Sequence, residues 1–537
     1  MPLLGHDFAI WFDQLMIGKW HFAHQGLLPL RFSPHACGGA PVYGDPESIF
    51  YSLAQTLSFV IHPYLAIQIS IVVALIGGFF GWIQFGKKAL GLDQGWSHLL
   101  SLIMIANGFV FIHLAVGHFQ MHTMPLMGWL LFLLFDQTPY SRKVLFTRTC
   151  IFALLTIYIL CGAGYNVLLF SALTGFFFLL FDLVFSNDSK GRIRELLLRF
   201  ALFGGTSLLI LSSKLVAVLS FMRFFPRVEG YAHMWDGTNL FEYIIRSFWE
   251  VFPTRESIPG YGWDLHEKSI FLSPVVWMGL LAGLYFAFKN RAALFKERKK
   301  TVLILLLSLF TFLFLTQLAQ GHGFLVDQFL TLPVIRSLRV ASRFLYIFSI
   351  FISILSIFSL SKVCAHLNQN SKVMVLNAAS ILTLLSLTTG WYAVHSQLLL
   401  AENYDLRTKQ FDSLEKIHYE QLSVTDVKNG NTDYVRAGNI CHIELLKKTY
   451  PLPLLVGPTS LHYQGAYNLM NPACYQYPEE NHCKPGDRIR TDDEENFQNF
   501  SRGMPVTWKL SLLQHIADYT SLLTLIFCVC YLIRPKR

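Results

Sequence analysis

Charged residues are scarce in this chain. They make up 14% of its 537 residues, whereas hydrophobic residues make up 53%, and a soluble domain is about 25% charged. Runs of about 18 or more apolar residues recur along the chain, and each is long enough to cross about 30 Å of hydrocarbon. The composition therefore excludes a soluble globular protein and predicts an all-α polytopic membrane protein.

Several catalytic motifs are also missing. The sequence has no Walker phosphate loop, no GxSxG and no HExxH in a useful context, which disfavours ATP-driven transport and the common serine and zinc hydrolases. Its nine cysteines include no CxxC pair, so a cysteine zinc site is disfavoured as well. Cys474 and Cys483 flank a short proline-rich turn, and they either form a disulfide or stay free thiols.

The apolar runs predict about eleven membrane spans. The third is short, and it is either a full crossing or a re-entrant helix. The spans lie near residues 64–85, 98–117, 123–137, 148–162, 166–186, 198–216, 272–289, 301–319, 343–362, 372–394 and 515–533.

Basic residues cluster in alternate connections between these spans, for example at Lys87 and Lys88 and from Arg142 to Arg148. By the positive-inside rule that side is the cytoplasm. The net charge of +9 then reflects membrane topology, and it gives no argument for nucleic acid as a partner.

The opposite face receives the remaining polar segments. Residues 1–62 are predicted to form an outer loop and residues 395–514 an outer soluble domain of mixed α and β structure. Residues 63–394 form the transmembrane domain between them. Residues 515–537 supply a last span and a basic cytoplasmic tail.

The outer loop contains two acidic candidates for catalysis. Asp7 follows His6 and could act as a general base on a hydroxyl, or it could be the N-cap of a helix that begins at Phe8. Asp45 lies in a Gly-Asp-Pro turn, where aspartate commonly starts turns. It could instead share a site with Asp7 as a second acid or a metal ligand.

Two histidines, His118 and His122, follow the second span. Their spacing is expected to place them on one helix face. Zinc is a weak interpretation because no third ligand is evident nearby. Hydrogen bonding to a sugar or phosphate, or simple anchoring of a helix end at the interface, is favoured instead.

Three arginines, Arg336, Arg339 and Arg343, lie on the outer side before another span. Guanidinium groups bind phosphate bidentately, and arginines at a membrane surface are costly unless they have partners. The cluster therefore predicts a phosphate site, or alternatively an internal ion pair with Asp7 or Asp45. His266 and Glu267 directly precede a further span, and with Trp263 nearby they suit sugar recognition.

Together these segments resemble the GT-C superfamily of integral-membrane glycosyltransferases, and most closely its bacterial YfhO-like branch. The resemblance covers residues 1–394. It is carried by Asp7, Cys37-Gly38-Gly39-x-Pro41, Gly44-Asp45-Pro46, Gly117-His118, Trp263 with His266-Glu267, and Leu338-Arg339 to Arg343.

The resemblance implies a polyprenyl-phosphate-sugar donor and a glycan, lipid or protein acceptor at the periplasmic face of a bacterial inner membrane. Asp7 would deprotonate the acceptor hydroxyl. Arg339 and Arg343 would hold the departing lipid phosphate, with Arg223 or Arg227 as helpers. No cofactor is specified, although a divalent metal is possible. In GT-C enzymes a span precedes the acidic loop, so a further helix is expected upstream of Met1.

Two other function classes are open at this point. One is a transporter or flippase of a lipid-linked saccharide, which should place ionisable residues near the middle of the membrane. The other is a non-catalytic membrane accessory protein whose outer domain binds a partner.

Overall fold

The computed structural model describes most of the transmembrane part of the chain. The described residues are 4–5, 7–33, 40–185, 189–224, 248–249, 267, 269–289, 291, 298–321, 323–332, 340–393, 403–404, 422–423, 465–466, 471–485, 494–501 and 504–534.

These residues form an all-α polytopic membrane fold, as predicted. The helices are α1 Phe8–Gln25, α2 Leu53–Ser58, α3 Pro63–Lys88, α4 Gln94–Ile105, α5 Gly108–Val116, α6 Met127–Phe135, α7 Arg142–Cys161, α8 Tyr165–Phe185, α9 Ser189–Phe224, α10 Pro274–Lys289, α11 Arg298–Gln320, α12 Asp327–Leu330, α13 Leu345–Val363, α14 Gln369–Ala393, α15 Pro472–Gln476, α16 Glu494–Ser501 and α17 Leu512–Ile533.

Nine helical segments in the described part of the chain are long and apolar enough to cross a membrane. They correspond to nine of the predicted spans, with α4 and α5 together forming one of them, Gln94–Val116. The other two predictions, 123–137 and 272–289, fall on shorter apolar helices, Phe119–Phe135 and Pro274–Lys289. The count of eleven full-length spans therefore remains a prediction.

The segment 119–135 crosses the bundle as a broken helix. Two 3₁₀ turns lead into α6, whose 9 residues span only about 14 Å. Trp129 Nε1 donates to Gly77 O at 2.7 Å, midway along α3, and Gln137 N donates to Lys88 O at 3.0 Å at the end of α3. Irregular backbone at this depth requires burial within protein, and residues 116–128 are all buried.

Glycines allow the helices to pack closely. A Cβ on Gly78 would lie 2.3 Å from Pro125 and one on Gly81 would lie 2.6 Å from Trp129. A Cβ on Gly279 of α10 would similarly lie 2.6 Å from Ser356 of α13. Small residues at such contacts are typical of packing in membranes, where apolar surface gains little by leaving lipid.

Asp136 organises the basic end of the bundle. Its buried carboxylate pairs with Arg148 and accepts from Thr138 N at 2.8 Å. Arg192 and Arg199 donate to its backbone carbonyl at 3.3 and 2.8 Å. Some of the arginines that indicated cytoplasmic loops thus also fix the ends of α6, α7 and α9.

Short β pairings connect distant parts of the chain. The N-terminal strand β1 (Leu4–Gly5) pairs antiparallel with β4 (Asn403–Tyr404), so the N-terminus contacts the segment 395–514. The other pairs are β2 (Phe32–Ser33) with β3 (Ala40–Pro41), and β5 (Leu422–Ser423) with β6 (Gly465–Ala466). The independent mixed α/β domain at 395–514 remains a prediction.

The segment around α15 docks on the transmembrane helices. Cys474 and Cys483 form a disulfide, the first of the two predicted alternatives. Gln476 Nε2 donates to Ala217 O of α9 at 2.8 Å, and Tyr477 Oη bonds Gln514 Oε1 of α17 at 2.9 Å. This part of the segment 395–514 is therefore fixed to the bundle.

Candidate functional site

The N-terminus of α1 docks on the end of α5. Gly117 ends α5 with φ +107°, and a Cβ there would lie 2.5 Å from Phe8 N. Asp7 N donates to Val116 O at 3.3 Å, and Trp11 Nε1 donates to Gly117 O at 2.6 Å. Only glycine combines this backbone conformation with so close an approach. The contact fixes the position of Asp7 relative to His118.

Asp7 and His118 meet across this contact. His118 Nε2 lies 2.8 Å from Asp7 Oδ2, and the two side chains are 8% and 22% exposed. Asp7 stands at the N-cap position of α1, yet its side chain makes no capping hydrogen bond. The Asp7 carboxylate, which was a candidate helix cap, therefore contacts His118 instead.

Glu267 connects this pair to a second ion pair. Arg343 Nε donates to Glu267 Oε2 at 2.9 Å and Arg343 Nη2 pairs with Oε1, in a two-pronged arrangement. Ser342 Oγ donates to the Glu267 backbone carbonyl at 2.9 Å. His118 Nδ1 lies 4.0 Å from Glu267 Oε1. The internal ion pair considered for the arginines is thus observed for Arg343, although its partner is neither Asp7 nor Asp45.

His113 is a member of the site that the sequence analysis missed. It is fully buried on α5, and its Nε2 lies 3.2 Å from Glu267 Oε2. Its other nitrogen, Nδ1, lies 2.9 Å from Phe109 O. We call Asp7, His113, His118, Glu267 and Arg343 the site cluster. A sequence signal existed, because an ionisable residue inside an apolar span is by default a functional candidate.

His122 takes no part in these contacts. The prediction that it shares a helix face with His118 was wrong, because α5 ends at Val116 and both histidines flank a 3₁₀ turn. His122 is buried, stacks on Phe119 at 4.0 Å and bonds Phe119 O through Nδ1 at 2.6 Å. These contacts are those of a packed core histidine.

Asp45 forms a turn. Its Oδ1 accepts from Glu47 N at 3.0 Å, which confirms the turn interpretation of Gly-Asp-Pro. Lys214 Nζ of α9 donates to the backbone carbonyl of Asp45. Glu47, in turn, accepts from Tyr165 Oη at 3.1 Å, and both groups lie within electrostatic reach of Arg343.

The remaining predicted residues divide into two groups. Arg223 is 68% exposed and pairs with Glu479 at 3.6 Å, so its described contacts are away from the site cluster. His6, Arg227, His266, Arg336 and Arg339 lie outside the described residues.

A cavity of about 950 Å³ lies between α7, α9 and α17. Most of its wall is apolar, with Ile157, Leu211 and Leu522 among the lining residues. Several of its polar lining residues form an interconnected set. They are Arg31, paired with Asp518; Tyr43, bonded to Ser213 at 2.9 Å; and Lys214, which donates to Tyr43 O at 2.8 Å. We call this cavity the α7–α9–α17 groove.

The polar lining of this groove adjoins the Asp45 turn. Ser48 lines the groove and Lys214 bonds the carbonyls of Tyr43 and Asp45. Burial raises the pKa of Tyr43 to about 12, so the phenol is neutral and can donate at any ordinary pH. An amphiphile with an apolar tail and an anionic head matches this combination of surfaces.

Comparisons of the chain with protein-family models, with curated proteins and with solved structures find no match.

Proposed function

We propose that this chain is a GT-C-type glycosyltransferase. It transfers a sugar from a polyprenyl-phosphate donor to an acceptor hydroxyl, at what we take to be the periplasmic face of a bacterial inner membrane. The observation that carries the proposal is the 2.8 Å contact between Asp7 and His118 beside the Glu267–Arg343 pair. It joins a carboxylate and a guanidinium at one end of a membrane bundle.

Asp7 is assigned the role of general base. An N–H from His118 favours the ionised form of the carboxylate, and the Asp7 side chain retains 22% exposure through which an acceptor can approach. In the transfer step the acceptor oxygen forms a bond to the anomeric carbon while its proton passes to Asp7. The bond from that carbon to the phosphate oxygen breaks, and the electron pair leaves with the lipid phosphate.

Cationic groups are assigned to the departing phosphate. Arg343 donates to Glu267 through Nε and Nη2, so Nη1 is the donor that a phosphate oxygen would take. Charge stabilisation by fixed donors is the largest contribution to catalysis in many enzymes. Arg336 and Arg339 remain sequence-based candidates for the same role.

The α7–α9–α17 groove is assigned to the donor lipid. Its apolar wall suits an isoprenoid chain, and Lys214, together with Arg31 in its pair with Asp518, supplies cationic groups along the lining. Ser48 of this groove and Glu47 are adjacent in sequence, and Glu47 lies within electrostatic reach of Arg343. A lipid in the groove would therefore carry its head group towards the site cluster.

Reconstituted protein tests this function. Proteoliposomes would be given a panel of synthetic polyprenyl-phosphate monosaccharides together with glycan, lipid and peptide acceptors, and free polyprenyl phosphate would be measured by mass spectrometry. We expect release by the unaltered protein and a loss of about 10²- to 10⁴-fold in Asp7→Asn, the range for removing a general base. Asp93→Asn is the matched control because Asp93 is an exposed N-cap of α4 and asparagine caps equally well.

Two results would contradict the proposal. Movement of the intact donor across the bilayer without cleavage would favour a flippase. An Asp7→Asn variant that releases lipid phosphate at the unaltered rate would remove the base assignment.

A further inference from the structure

Three side chains of the site cluster place possible metal-ligand atoms close together. The ring nitrogens of His113 and His118 and a carboxylate oxygen of Glu267 all lie within 4.8 Å of one another, and all three residues are buried. Residues of these types are the usual nitrogen and oxygen ligands of zinc. Proximity alone does not make a metal site. The positions of the protons on the two imidazole rings determine which ring nitrogens have a lone pair for a metal ion.

The hydrogen bond to Phe109 fixes the tautomer of His113. A backbone carbonyl can only accept, so the contact of 2.9 Å from Nδ1 to Phe109 O places the proton on Nδ1. In the neutral ring Nε2 then carries a lone pair, and it lies 3.2 Å from a carboxylate oxygen of Glu267. Two acceptors at this distance repel each other unless a cation or a proton lies between them.

His118 repeats the arrangement. Its Nε2 lies 2.8 Å from Asp7 Oδ2, so the proton belongs on Nε2, where the carboxylate accepts it. Nδ1 of the neutral ring then carries the lone pair, and it faces Glu267 Oε1 at 4.0 Å. In both rings the outer nitrogen donates to an oxygen while the inner nitrogen turns its lone pair towards Glu267.

We propose that His113 Nε2, His118 Nδ1 and the Glu267 carboxylate bind a zinc-class divalent transition-metal ion. Metal-bound histidines almost always donate their other ring N–H to a carboxylate or a backbone carbonyl, and here Asp7 and Phe109 supply these acceptors. Two imidazoles with one carboxylate suit zinc better than magnesium or calcium, which prefer oxygen ligands. Three protein ligands would leave a fourth position for water or substrate, as in catalytic zinc sites.

The distances are compatible with this ion. With bonds of about 2.0 to 2.1 Å, the ligand atoms of a tetrahedral zinc site lie about 3.3 Å apart. The His113–Glu267 distance of 3.2 Å already matches. His118 Nδ1 lies 4.0 Å from Oε1, the other oxygen of the carboxylate, so an ion would have to draw the His118 ring closer to complete the site.

Arg343 does not compete with the ion for Glu267. An ionised carboxylate has about four lone-pair sites, and the fork of Arg343 uses one on each oxygen. The remaining sites can face the histidines. Arg343 would then orient the ligand, in the way that hydrogen-bond partners behind metal ligands usually do.

Metal content measured on the full-length protein in detergent tests this site directly. The protein would be purified without chelator, and zinc, manganese, iron and cobalt would be quantified by mass spectrometry. It would also be stripped with a chelator and titrated with Co²⁺, whose visible absorption reports nitrogen and oxygen ligands in a tetrahedral field. We expect about one ion per chain and a tetrahedral Co²⁺ spectrum.

Matched variants identify the ligands. Glu267→Gln and His118→Ala are expected to lose the ion, whereas His98→Ala, an exposed histidine on α4, should keep it. Asp7→Ala removes only the outer partner of His118, so it should weaken binding by about 10- to 100-fold. The Co²⁺ titration uses the unaltered protein. The proposal can therefore be tested even if a ligand variant does not fold.

The opposite result is equally clear. Unaltered protein that contains no metal and gives no tetrahedral Co²⁺ spectrum would show that a proton occupies the space between the histidines and Glu267. A metal content unchanged in both Glu267→Gln and His118→Ala would place any bound ion elsewhere. Neither readout depends on glycosyl transfer, so this proposal and the proposed function can fail separately.

Discussion

Asp7 and His118 are joined by a 2.8 Å contact between a carboxylate oxygen and Nε2, although 111 positions separate them in the sequence. The contact depends on Gly117, whose positive φ brings the end of α5 against the backbone of Asp7 and Phe8. A backbone feature therefore determines which side chains can meet at the site.

Replacing Gly117 by alanine should separate Asp7 from His118. Its new Cβ would lie 2.5 Å from Phe8 N at a φ of +107°, so α1 must move away from α5. We expect a loss of stability of about 1–3 kcal/mol from overpacking in addition to the backbone strain, with a fall in lipid-phosphate release. Thermal unfolding in detergent and the release assay measure the two effects.

Gly91→Ala is the control for the backbone strain alone. Gly91 has φ +66°, but a Cβ there meets nothing within 4 Å. Gly91→Ala should therefore lower stability only by the cost of a left-handed backbone conformation, about 1–2 kcal/mol. Equal losses in the two variants would mean that the close approach of α1 to Gly117 contributes nothing.

The sequence predicted most of the bundle because membrane thickness imposes a minimum length on every apolar span. For 123–137 it left open a full crossing or a re-entrant helix, and there the backbone breaks into 3₁₀ turns around Pro125. Such a break is tolerated only because α3 and other helices enclose it. That enclosure is a property of tertiary packing, which an apolar run does not encode.

Four of the five residues in the site cluster could also be named in advance. His118, Glu267 and Arg343 stand at or near the ends of predicted spans, where ionisable residues are conspicuous, and Asp7 lies in the polar outer loop 1–62. His113 was overlooked because it lies within an apolar run. The pairing of Arg343 with Glu267 joins residues 76 positions apart, and only the packing of α10 beside α13 brings them together.

The Glu267–Arg343 pair allows a structural role of Arg343 to be separated from a phosphate-binding role. Arg343→Met should deprive the buried Glu267 carboxylate of its guanidinium partner, at a cost of about 3–5 kcal/mol. The double variant Arg343→Met/Glu267→Gln removes both charges and should recover most of that stability. Thermal unfolding of the two variants tests this expectation.

Lipid-phosphate release then reports the second role. If Arg343 also stabilises the leaving phosphate, the double variant should release less lipid phosphate than Glu267→Gln alone. Equal release by these two variants would limit Arg343 to orienting Glu267. Arg343→Lys keeps the charge but lacks the two-pronged geometry, so it should show an intermediate stability.

The buried His21 in α1 should make the free energy of unfolding depend on pH. Burial lowers the pKa of His21 below its ordinary value of 6.5, and its Nε2 donates to Leu28 O at 2.9 Å. The unfolded chain therefore binds the proton more readily than the folded protein. Stability should be fully present above pH 6.5 and decline as the pH falls below it.

His21→Gln should remove this contribution, because the glutamine amide can still donate to Leu28 O but does not titrate. The measurement is thermal unfolding between about pH 7 and pH 5, where histidine titrates. His98→Gln, at an exposed position, is the control and should keep the slope of the unaltered protein. Parallel pH profiles for the unaltered protein and His21→Gln would refute the assignment.

The α7–α9–α17 groove can be filled without disturbing the core. Leu522 lines the groove and is 53% exposed, whereas Leu523 is 66% exposed and does not line it. Leu522→Trp should exclude part of the donor chain and raise KM for the polyprenyl-phosphate sugar. A tenfold increase would correspond to about 1.4 kcal/mol of lost binding.

Leu523→Trp adds the same bulk to the neighbouring position and should leave KM unchanged. If both variants alter KM equally, or if neither does, the donor lipid does not occupy this groove, and the apolar cavity of about 300 Å³ beside Phe8 becomes the next position to fill.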